Sequence, residues 1–126
     1  MFELTDEQFD KLISEVMSEL PQKYIEGLKN VAIVMADWPT NEQIRKLQQR
    51  SHTLLGLYEG IPLTRRGNNY SGVLPDKITI FKAALVNISP DMESLRENTK
   101  RTLWHEIAHY YGLDHKRIHD LENKSK

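Results

Sequence analysis

The chain has 126 residues, no cysteine, and 17 Lys+Arg against 18 Asp+Glu for a formal charge of -1. That length suits a single domain spanning residues 1–126, with one real core and little room for a second. The lack of cysteine excludes a disulfide scaffold and any thiolate metal site, and the even charge argues against a dedicated nucleic-acid binder.

The start, Met1-Phe2-Glu3-Leu4-Thr5-Asp6, has neither a basic opening nor the apolar run of a signal peptide. No stretch approaches the ~18 apolar residues that would span a bilayer. The expectation is a soluble cytoplasmic protein with no membrane partner. Thr5 followed by Asp6, Glu7 and Gln8 reads as an N-cap with an acidic first turn. Phe9, Leu12, Ile13, Val16, Met17 and Leu20 then recur at helical spacing and define a core face. Pro21 ends that helix or opens the next segment.

Asn30 to Ala36 is short, apolar and β-branched, which predicts a largely buried strand. Asp37-Trp38-Pro39 breaks it, and Thr40 or Asn41 can cap a helix running to about Gln49. Leu54 to Leu63 mixes strand formers with Gly56, Gly60 and Pro62, and predicts an edge strand or an extended loop beside one. Thr64 to Ser71 is polar and predicts a loop. Lys77 to Phe81 is a further strand, and Lys82 to Ile88 is ambiguous. Ser89 as N-cap with Pro90 at the first helical position predicts a long helix from Asp91 to Tyr111, and a short one follows over about Lys116 to Asn123. The expected class is α+β, a small mixed sheet packed on a long helix and further helices.

That long helix ends in His105-Glu106-Ile107-Ala108-His109-Tyr110-Tyr111-Gly112-Leu113-Asp114-His115. His105 and His109, one turn apart, stand on one helix face, where two imidazoles can reach a single Zn²⁺ at about 2.0–2.1 Å. Glu106 lies about 100° further round the helix, placed to flank the ion as general base on a metal-bound water. Gly112 can stop the helix in the left-handed region, so that His115 returns as third ligand and leaves a fourth position open. A lone His-Glu-x-x-His arises by chance in roughly one chain in fifty of this composition, and the added glycine and third histidine lower that to roughly one in ten thousand. The spacing therefore carries the metal assignment.

Other residues of these types have blander readings. His119 reads as a solvated or supporting group, His52 sits in a polar stretch without a visible partner, and Asp114 reads as a support or surface residue. Tyr58, Arg65, Arg66, Tyr110 and Tyr111 are weaker candidates for stabilising an oxyanion, since aromatics at a helix end more often pack.

The eleven-residue motif is similar to the extended zinc signature of metzincin proteases. The chain as a whole resembles a family of small bacterial zincin-like metallopeptidases. That resemblance runs through Phe9 to Pro21, Asn30 to Val34, Asp37-Trp38-Pro39, Leu55 to Thr64, Pro75 to Ile80 and Thr102 to His109. It implies a minimal zincin fold, Zn²⁺ as cofactor, His105 and His109 as ligands, Glu106 as base and a peptide or small protein as substrate. Family members often carry an acidic residue near the third-ligand position, so Asp114 is an alternative to His115. Eleven residues follow His115 and none is methionine, so the methionine turn of true metzincins is not expected.

The expected function is zinc-dependent hydrolysis of peptide or amide bonds, with substrate added to an edge strand within Leu54 to Leu63 or Ile78 to Phe81. Two alternatives stand beside it. The Gly112-Leu113-Asp114-His115 ending also resembles a metal-dependent endoribonuclease family of ribosomal RNA maturation, against which Glu106 and the even charge count. The other is a zinc-binding protein without turnover.

Overall fold

The first helix starts where the sequence supplies its cap. In the computed structural model, which describes residues 3–46, 54–66, 75–113, 116–117 and 120, α1 spans Asp6–Glu19. The Thr5 hydroxyl accepts from the Gln8 N–H and the Gln8 side chain accepts from the Thr5 N–H, so two end donors are satisfied reciprocally. Pro21 then opens the one-turn α2, Gln22–Glu26. The strand β1, Val31–Ala36, leads to α3, Asn41–Lys46, which carries a second reciprocal cap between Thr40 and Gln43. The rest of the helix expected up to Gln49 lies outside the described residues.

The strand β2 is Gly56–Glu59, and Leu63–Arg65 forms one 3-10 turn across the junction between the predicted Leu54–Leu63 stretch and the polar loop expected from Thr64. The strand β3 is Asp76–Phe81. The ambiguous stretch after it is helical: α4 runs Lys82–Ile88. The helix α5 spans Met92–Tyr111, and its N-cap is Asp91, whose carboxylate accepts from the Ser94 N–H. This displaces the cap expected at Ser89, because Ser89 is buried at the end of α4, where its hydroxyl donates to the Leu85 carbonyl. Of the last helix predicted, Lys116, Arg117 and Asp120 are described, all helical.

The sheet order is β1-β3-β2, with β1 parallel and β2 antiparallel to β3. The mixed α+β architecture expected from the element order is therefore present. Among the described residues β3 is central, so Ile78 to Phe81 is not the edge, and β2 is an edge strand. β1 is the other edge and is less buried than its composition predicts, with Val34 40% exposed. A strand at the margin of a sheet is flanked on one side alone, which leaves its outer side uncovered.

Ile78 and Ile80 of β3 point into the main core, where they meet Phe9, Val16, Leu103 and Ile107 from α1 and α5. The opposite parity carries Phe81, which joins Leu54, Leu57 and Ala84 in a smaller cluster. Lys82 ties the start of α1 to α4 by donating to the Leu4 carbonyl at 2.9 Å and the Asp6 carboxylate at 2.6 Å. Arg96 and Lys100 of α5 pair with Glu19 of α1. The outcome is α5 held between α1 and the sheet, with its last turns beside β2. Among the described residues, no helix is long and apolar enough to cross a membrane.

Candidate metal centre

The last turns of α5 bring His105, Glu106 and His109 together. One ligand atom from each lies within 4.8 Å of the others, and the two imidazoles meet edge to face with ring centres 4.7 Å apart. Two donors at ~2.1 Å from one ion are at most ~4.2 Å apart, so small side-chain rotations bring this set to coordination distance. Nitrogen and oxygen donors without sulfur suit Zn²⁺. The residues present therefore fit such an ion. His115 and Asp114 lie outside the described residues, as do His52 and His119.

Glu106 differs from its two neighbours in environment. It is 4% exposed, and its Oε1 accepts the backbone N–H of Tyr58 at 2.9 Å. This contact needs the edge strand close to the helix. Gly56 permits it: a Cβ there would lie 2.7 Å from Thr102 Cγ2 and 3.3 Å from Glu106 Cγ. A glycine inside a strand signals close backbone approach, so this neighbour of the site carried a sequence signal that the edge-strand reading did not use.

The helix ends as its glycine predicts. Gly112 takes φ 74, its N–H bonds the His109 carbonyl, and the Leu113 N–H bonds the Ala108 carbonyl. This is the paired Schellman arrangement, and Leu113 follows it to pack on the main core. The 3-10 turn abuts the same point, with Thr64 lying where a Cβ on residue 112 would project.

The weaker oxyanion candidates are committed elsewhere. The Tyr58 hydroxyl donates to Asp76 Oδ2 at 2.6 Å, and Arg66 Nη2 donates to the same oxygen at 2.5 Å. The Tyr111 hydroxyl donates to the Tyr24 carbonyl, and the Tyr110 hydroxyl lies at the Lys29 backbone. The Arg65 side chain is not among those described. Asp76, 3% exposed at the start of β3, had no signal in the sequence beyond its place after Pro75.

Burial raises the Tyr58 phenol pKa above its ordinary value, and the hydrogen bond and charge of Asp76 raise it further. Burial also raises that of Tyr111, with Tyr110 and Tyr24 adding to it. Both folded-state values exceed the unfolded one. The stability they contribute is therefore full below about pH 10 and declines as pH rises above it. Ultraviolet titration is expected to show these two phenols ionising late, in step with alkaline unfolding. Ordinary titration of both in the folded chain would refute this.

A family model described as zincin-like metallopeptidase matches residues 28–125. No curated protein matches the chain. Among solved structures, a conserved hypothetical protein from Thermo thermophilus is similar over 95% of this chain and 99% of its own, at TM-score 0.53 and 19% identity. That likeness is one of fold.

Proposed function

The chain belongs to the zincin-like metallopeptidase family, and from that premise we propose that it hydrolyses peptide or amide bonds with zinc as cofactor. The observation carrying this reading is the cluster of His105, Glu106 and His109, in which Glu106 is buried and braced by the edge strand. His105 and His109 would hold the ion, with His115 as third ligand. Zinc held there polarises a carbonyl oxygen and lowers the pKa of water to about 7.

Glu106 moves the proton. It takes one from the attacking water as the water oxygen bonds the carbonyl carbon. As the C–N bond breaks, it returns that proton to the leaving nitrogen, so that atoms and charge balance. Burial of its carboxylate against β2 limits competing hydration, and the Tyr58 N–H orients it. A peptide or small protein segment would extend the sheet along the outer side of β2. The even net charge supports a peptide over a polyanionic substrate.

Elemental analysis of the purified chain tests the metal half, with hydrolysis of a mixed peptide library in the presence and absence of chelator for the chemistry. One zinc per chain is expected, lost from His105→Ala and His109→Ala and strongly weakened in His115→Ala. Retention in His115→Ala with loss in Asp114→Ala would transfer the third ligand to Asp114. Stoichiometric zinc without turnover of any peptide would reduce the protein to a metal-binding role.

A further inference from the structure

Tyr58 makes two bonds in different directions. Its N–H lies in the plane of the sheet and reaches Glu106 Oε1 at 2.9 Å. Its side chain stands off the sheet and reaches Asp76 Oδ2 at 2.6 Å. The first bond follows from register. Phe81 N–H bonds the Leu55 carbonyl, so the backbone groups of odd-numbered residues in β2 face β3 and the Tyr58 N–H faces outward, toward α5. The second also follows from register: Tyr58 is opposite Ile78, and Asp76 is the diagonal neighbour on the same face.

Asp76 is itself fixed. It pairs with Val31 in the β1–β3 ladder, and its N–H bonds the Asn30 carbonyl. Arg66, beyond the 3-10 turn, joins its carboxylate, and Arg66 Nε also donates to the Ile61 carbonyl. Gly60 leaves room for this carboxylate, since a Cβ there would lie 2.4–2.8 Å from its atoms. The charged pair is thus closed over by the chain leaving β2.

We propose that Tyr58, held by Asp76 and Arg66, is a positioning residue for Glu106. Its phenol anchors the edge strand to the central one, and the anchored N–H aims the carboxylate. This rests on the reading of Glu106 as the base. Among the described residues, this four-residue strand has one neighbouring strand, β3, to hold its register. The Asp76 bond supplies the second constraint at the residue whose amide touches Glu106. The arrangement also bears on substrate: the Tyr58 N–H is engaged by Glu106, so a docking peptide cannot use that donor and must pair with the remaining outward groups of β2.

Amide hydrogen exchange in the full chain, followed by NMR without metal or substrate, tests the proposal apart from activity. The Tyr58 amide is expected to be protected in the wild type. In Tyr58→Phe and Asp76→Asn, exchange at residue 58 should rise at least tenfold while amides of His105 to Tyr110 keep their rates. Glu106→Gln should raise it by less, because a neutral acceptor remains. Residue 58 exchanging in the wild type like an unstructured amide would overturn the proposal, and so would unchanged rates in both Tyr58→Phe and Asp76→Asn. Where a peptide is turned over, Tyr58→Phe is expected to lower kcat with KM little changed. A wild type that shows the exchange pattern without hydrolysis would instead sink the peptidase reading.

Discussion

Replacing Glu106 by glutamine is expected to leave zinc content unchanged and to lower hydrolysis by about 10²–10⁴-fold, the usual contribution of a positioned general base. The substitution is nearly isosteric. Its side-chain oxygen can still accept the Tyr58 N–H that Glu106 now accepts at 2.9 Å, so unfolding temperature should move little. Alanine at the same position makes a useful contrast. It removes the acceptor from a partly buried amide, at a cost of up to about 1–3 kcal/mol. Glutamine that is inactive but stable, beside alanine that is inactive and less stable, separates the chemical role from the structural one. Undiminished turnover in Glu106→Gln would remove Glu106 as base.

The second large effect is expected at Gly112. An alanine there must hold φ near 74, which costs about 1–2 kcal/mol in the left-handed region. Its Cβ would also meet Thr64, with Oγ1 2.2 Å and Cγ2 2.8 Å away. Overpacking of this kind typically adds about 1–3 kcal/mol, so denaturant unfolding should show a loss of about 2–5 kcal/mol. Thr64→Ala removes the two nearest atoms of that clash. In the double variant the steric part should be relieved while the backbone part persists, giving a coupling of about 1–3 kcal/mol. Strict additivity would mean that the 3-10 turn does not press on the helix end. Zinc affinity should fall with Gly112→Ala as well, since the Schellman turn directs the chain toward residue 115.

These two predictions draw on different kinds of information. The grouping of Glu106, His105 and His109 was legible from spacing alone, because a helix repeats every ~3.6 residues and needs no distant contact to align positions four apart. Gly112 was legible for the same reason, its left-handed preference being local. The clash with Thr64 was not, since it joins residues far apart in the chain. The start of α5 shows the boundary between the two. Ser89-Pro90 is a sound local capping signal, yet Asp91 makes the cap because packing holds Ser89 inside the end of α4.

Local spacing was enough for the His-Glu-His cluster, the glycine stop, the two Thr-initiated helices and the mixed α+β class. The cluster, the stop and the caps rest on interactions within about five residues, where spacing dictates geometry. Assembly of the whole domain was needed to establish which of the described strands are edges, and that the backbone of β2 reaches Glu106. It was needed too to join Tyr58 to Asp76 and Arg66, which makes two candidates for the reacting site into supports of the strand beside it. Strand order and cross-strand neighbours depend on long-range register, which a side-chain period of two leaves open until the sheet is assembled.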